Sequence, residues 1–129
     1  MEITNGSLLL MNDVLNKYAN KRLPQKISYA IVRNLTILAK EMNVYNRALE
    51  KIIEDYKDYQ IDGETFNNGL PAVDNDHKNA YFNDVNELLH IKLNVDLYKI
   101  DQSVFDYEES DRYDPLSALE IIELQGILC

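Results

Sequence analysis

Apolar residues at Ile31, Leu35, Leu38, Met42, Tyr45, Leu49, Ile52 and Tyr56 advance by strict steps of four and three, with neither Gly nor Pro between them. A 3.5-residue period keeps one stripe of an α-helix facing the same way for four heptads, so the stretch must lie against something of comparable length, within the chain or in another copy. With Pro24 suited to a first helical turn, the helix is expected over about 24–58, roughly 52 Å at 1.5 Å per residue. Val32, Ala39 and Ile53 widen the stripe to one side, which favours packing against two other helices over a solitary coiled coil.

The rest of the chain reads around that helix. Glu2-Ile3-Thr4 is a short strand, and Ser7 is placed to cap a helix over about 8–20 with Leu8, Met11, Leu15 and Tyr18 inward. Residues 59–75 hold Asp62-Gly63, Asn68-Gly69 and Leu70-Pro71, three turn signals that predict a loop. Asp74 or Asn75 can cap a helix whose apolar face is Tyr81, Phe82, Val85, Leu88 and Leu89, returning antiparallel along the long helix. The period then changes to two: Ile91, Leu93, Val95 and Leu97 alternate with polar residues as a half-buried strand, and Glu2-Ile3-Thr4 is its expected partner. Asp114-Pro115 reads as cap and first residue of a last helix with Leu116, Leu119 and Ile122 inward. The expectation is a single domain over 1–129, mainly α: a helical bundle built on one long helix, with a small two-stranded β appendage and a C-terminal helix.

Apolar residues make up 46% of the 129, enough to close a core without disulfides. The single cysteine, Cys129, and the absence of a basic, apolar leader at the N-terminus point to a reducing, cytoplasmic setting. No apolar run approaches the roughly 20 residues of a membrane span. Asn5-Gly-Ser7 and Asn34-Leu-Thr36 match the glycosylation pattern by chance in that setting.

Charge is unevenly spread along the sequence. Residues 1–58 carry nine Lys/Arg against seven Asp/Glu, and residues 59–129 carry four against fifteen, giving the net −9. The acidic half disfavours direct contact with a nucleic-acid backbone and suits a basic partner surface. Two clusters stand out as partner-binding candidates. Lys17, Lys21, Arg22 and Lys26 surround the first interhelical turn, where the bland reading is a solvated loop with Lys17 favouring the helix dipole. Asp106, Glu108, Glu109 and Asp111, interleaved with Tyr107 and Tyr113, read either as a solvated linker or as a decoy that fills a basic groove meant for nucleic acid.

Catalytic chemistry finds little to stand on. His77 and His90 fall at opposite ends of one predicted helix, about 20 Å apart, and cannot share a metal. Asp74-Asn75-Asp76 resembles the start of a calcium loop but lacks its Gly and its distal bidentate Glu. Cys129 at a chain end has no rigid surroundings to make it a nucleophile. The expectation is a non-enzyme with no catalytic, cofactor or metal residues and no cofactor.

The stretch Leu23-Pro24-Gln25-Lys26-Ile27-Ser28-Tyr29-Ala30-Ile31, continuing through Arg33-Asn34-Leu35 to Glu41 and Tyr56 and then Asp62-Gly63, resembles a family of small phage and prophage proteins of unknown function. The resemblance implies a helix opening with Leu-Pro, an Asp-Gly loop, a Glu-Leu-Leu helix end, a short strand and a terminal helix. Glu87-Leu88-Leu89, Val95-Asp96-Leu97 and the residues from Leu116 match those features. These are scaffold positions, so the likeness implies a fold and a viral origin and carries over no active site. Abundant Asn, Ile, Lys and Tyr agree with an AT-rich genome. Two functions follow as expectations. One is a phage-encoded acidic interaction protein that inhibits a host defence protein, of the anti-CRISPR kind, in the host cytoplasm. The other is a phage structural or tail-assembly chaperone protein that self-associates, as a homodimer or larger, through the seam of the long helix.

Overall fold

The computed structural model describes residues 1–108 and 110–129; Glu109, one of the acidic candidates, lies outside the described residues. The long helix forms as α2, Gln25–Asp55, whose 31 residues span about 46 Å. Pro24 sits one position earlier than expected, at the cap, where its carbonyl accepts from the backbone N–H of Ile27 and Ser28. Ile31, Leu38 and Tyr45 of the seam are buried, and Leu35, Met42, Leu49, Ile52 and Tyr56 are half-buried. What covers the seam is the chain itself: α1, Asn5–Tyr18, and α3, Lys78–His90, both pack on α2. Of the three residues expected to widen the stripe, Ile53 is half-buried, whereas Val32 and Ala39 face solvent.

Helix α1 starts three residues earlier than expected because β1, Glu2–Thr4, runs straight into it. Thr4, still extended, accepts from the Ser7 N–H at 3.1 Å, so Thr4 is the cap and Ser7 lies within the first turn. The β1 strand pairs antiparallel with β4, Lys92–Asn94, in the register Glu2↔Asn94 and Thr4↔Lys92. The Met1 amino group and the Val95 carbonyl, with the reciprocal bond at 2.9 Å, extend that ladder by one pair. Val95 and Leu97 point inward as the alternation predicts, while Ile91 faces solvent.

The expected loop at 59–75 is instead a second antiparallel hairpin of β2, Gln60–Thr65, and β3, Pro71–Val73. Its turn is closed by Phe66 N–H to Leu70 O at 2.8 Å and Gly69 N–H to Phe66 O at 2.9 Å, and both Gly63 and Gly69 have positive φ, which the missing Cβ permits. Strand β2 is polar and nearly all exposed, so it carried no alternating apolar pattern to read.

The last helix, α4, covers Ala118–Leu128. Ser117 caps it through a reciprocal bond pair with Glu120, and Asp114-Pro115, expected as cap and first helical residue, lies ahead of the helix. Its buried face is Leu124, Ile127 and Leu128, with Ile121 packed alongside; Leu119 and Ile122, expected inward, are 79% and 64% exposed. A helix apolar on nearly every side can bury either face; in the face adopted here Glu123 meets Lys17 of α1 and Glu120 meets Lys21 in the turn that follows it.

One apolar core joins α1, the first half of α2, the segment after β4 and α4. A second, aromatic cluster stands at the far end of α2, where Tyr56, Phe66, Tyr81 and Phe82 meet edge-on or tilted and Tyr59 stacks flat on His77 at 3.5 Å. Among the described residues, no helix is long and apolar enough to cross a membrane.

Candidate partner-binding surface

The basic knob and the acidic segment, joined by contacts 89 and 92 residues apart in sequence, are neighbours in the fold. Arg22 donates its backbone N–H to Asp114 Oδ2 at 2.7 Å, Nη2 to Asp114 Oδ1 at 3.2 Å and Nη1 to the Asp111 carbonyl at 3.1 Å. Asp114 returns its own N–H to the Arg22 carbonyl at 2.6 Å. Lys21 lies 3.8 Å from Glu120, and Lys17 lies 3.5 Å from Glu123, which also accepts from the buried Tyr18 hydroxyl at 3.1 Å. Three of the four cations therefore face internal carboxylates, and only Lys26 of the set is in no ion pair among the described residues.

These contacts also shape the titration of the site. The Arg22 backbone N–H, helped by its guanidinium, holds the Asp114 carboxyl below its ordinary pKa, and the Ser117 backbone N–H does the same for Glu120. Beyond Asp114 the segment folds on itself. Ser110 and Tyr113 form a small bridge, Tyr107 donates its hydroxyl to the Asp114 carbonyl at 3.1 Å, and the Tyr107 and Tyr113 rings meet edge-on at 5.6 Å. Asp106, Glu108 and Asp111 are left exposed, with side chains in no ion pair among the described residues. Among the described residues of the two candidate clusters, those three and Lys26 are the ones in no ion pair.

The larger acidic surface lies elsewhere. Residues 50–90, comprising the end of α2, the hairpin and α3, hold ten Asp/Glu against three Lys, net −7, while the other 88 residues together are net −2. Most of the net negative charge therefore belongs to the one continuous stretch that also carries the aromatic cluster. There Tyr56 donates to Asp84 at 2.8 Å, which raises the phenol pKa, and Asp74 bonds both the Nδ1 and the backbone N–H of His77, which lowers its own.

His77 caps α3 and His90 ends it, a separation of about 20 Å by helical rise, as the sequence predicts. Among the described residues, no three His, Cys, Asp or Glu side chains are grouped to hold a metal. Cys129 is exposed, and partial desolvation raises its thiol pKa, which keeps the sulfur protonated near neutrality. Both glycosylation matches are occupied internally. Asn5 donates to the Leu88 carbonyl at 2.9 Å, and Asn34, fully buried in mid-helix, grips Tyr98 by both backbone groups, donating to its carbonyl at 2.9 Å and accepting from its N–H at 2.7 Å. No sequence signal separates such a clamp from a surface asparagine. The cations of α2 beyond Lys26 differ, because their seven-residue spacing is legible in the sequence.

Compared with protein-family models, with curated proteins and with solved structures, the chain finds no match in any of the three.

Proposed function

We propose that this is a phage-encoded binding protein, without catalytic activity, that inhibits a host defence protein by docking an acidic surface on a basic groove. The observation that carries the reading is the placement of charge. The basic knob is largely neutralised by the chain's own carboxylates, whereas the aromatic end is net −7 and Asp106, Glu108 and Asp111 stay free. Such a surface steers a basic partner during encounter and repels nucleic acid that competes for the same groove. Burial of Ile31, Leu38 and Tyr45 within the chain favours this reading over the assembly alternative, which uses the same seam for self-association. Affinity capture from infected host cells, read by mass spectrometry, separates the two: a host defence protein supports inhibition, and virion or tail proteins replace it with assembly. With the partner in hand, reversing Asp106, Glu108 and Asp111 to Lys should slow association while leaving the melting temperature nearly unchanged. Association of the triple variant as fast as wild type would remove that segment from the interface.

A further inference from the structure

Lys26, Arg33, Lys40 and Arg47 recur at seven-residue intervals along α2, so they form one column with about 10.5 Å between successive charges and about 32 Å in all. All four are exposed and none is in an ion pair among the described residues. Between residues 25 and 49 the helix carries a single acid, Glu41, which gives this stretch net +3 within a chain of net −9.

Beside the column runs a second stripe, Tyr29, Val32, Thr36, Ala39, Asn43 and Asn46, again in alternating steps of three and four and exposed throughout. In heptad terms these are the a and d positions of a seam facing away from the core, and the four cations are its e positions. Residues there set the partner and orientation of a paired helix. The seam has small and apolar side chains near its centre, and Thr36 satisfies its own hydroxyl by donating to the Val32 carbonyl at 2.9 Å. One end is already rigid. Arg33 donates to the Tyr29 hydroxyl at 2.9 Å and lies over the Tyr98 ring at 5.3 Å, while the buried Asn34 clamp fixes Tyr98 from behind. Tyr29, Val32, Arg33, Thr36 and Ile37 line an open groove of about 360 Å³ at that end.

We propose that this outer face of α2 docks an acidic amphipathic helix of a partner protein, with carboxylates at every seventh residue opposite Lys26, Arg33, Lys40 and Arg47. Carboxylates at that interval on a second helix repeat at the same 10.5 Å, so complementary charge and a shared helical period identify the occupant. A second copy of this chain does not fit. Antiparallel pairing sets cation against cation, and parallel pairing sets the cations against Ser28, Leu35, Met42 and Leu49, none of them acidic. The inference rests on residues separate from the acidic surface proposed above, so either can fail without the other.

The test uses the full chain and three fluorescent probes: a helical peptide with Glu at every seventh position flanking an Ala/Val seam, a scrambled peptide of the same composition, and a single-stranded oligonucleotide. Anisotropy at low and moderate salt should show the patterned peptide binding about tenfold tighter than the scrambled one, with affinity falling as salt rises. Replacing all four cations by Gln should abolish the difference, and Val32→Glu, which leaves the cations in place, should weaken the patterned peptide alone. Circular dichroism checks that both variants keep the helical content of wild type. Equal binding of the two peptides, no binding of either, or tighter binding of the oligonucleotide would each overturn the proposal.

Discussion

Asn34 and Tyr81 illustrate opposite solutions for a buried polar group. Asn34 is fully enclosed and fully used, with both halves of its amide on the Tyr98 backbone. Asn34→Ala leaves two backbone groups without partners, at about 1–3 kcal/mol each, so its melting temperature should fall well below that of a surface substitution such as Asn43→Ala. The Tyr81 hydroxyl is equally enclosed but is without a hydrogen-bond partner among the described residues, and burial pushes its pKa up. Tyr81→Phe removes that unpaired group while keeping the ring contacts to Tyr56 and Phe66. It should therefore melt at or above the wild-type temperature; a clear loss of stability would mean the hydroxyl is paired in solution. Along the seam, Leu38→Ala should cost about 2–5 kcal/mol because the site is completely buried, and Leu49→Ala less, because that position is half-exposed. Chemical denaturation of the pair checks the order.

Helix α4 is the element most dependent on its surroundings. Its sequence is apolar on nearly all sides, so no period fixes which face turns inward; in the fold Leu124, Ile127 and Leu128 join the core while Glu123 meets Lys17 and Glu120 meets Lys21. Ser117→Ala should cost about 0.5–2 kcal/mol through loss of the cap. The acid response follows in sign from the same contacts. Asp114 and Glu120 have folded pKa values below their ordinary ones, so the stability they contribute is present above about pH 4 and lost as pH falls through the lower folded values. Melting temperature followed by circular dichroism should drop below about pH 4, and Asp114→Asn should flatten that decline. The Ser-x-x-Glu box was readable at 117–120, whereas the hairpin at 60–73 was not. Strand β2 is polar and exposed, β3 is only three residues long, and their register shifts between Gln60 and Thr65, so neither strand carries an alternating pattern of its own.

For the molecule as a whole, electrical polarity counts for more than net charge. The half-and-half asymmetry along the sequence does not survive folding, because the acidic C-terminal segment returns to the basic knob and the two partly cancel. What remains is a rod-like helix with free cations along its first two thirds and a strongly acidic far end. Interactions of either surface should weaken as ionic strength rises, since the screening length is about 8 Å at 0.15 M.

The sequence alone determined α2, the order of the four helices and the pairing of the N-terminal strand with the strand after α3. Each of these rests on local periodicity or on a strand with a single available partner. The tertiary structure decided the inward face of α4 and the capture of Asp114 by Arg22. Those outcomes depend on contacts such as Arg22 with Asp114, 92 residues apart, whose energies enter only once the chain has closed on itself.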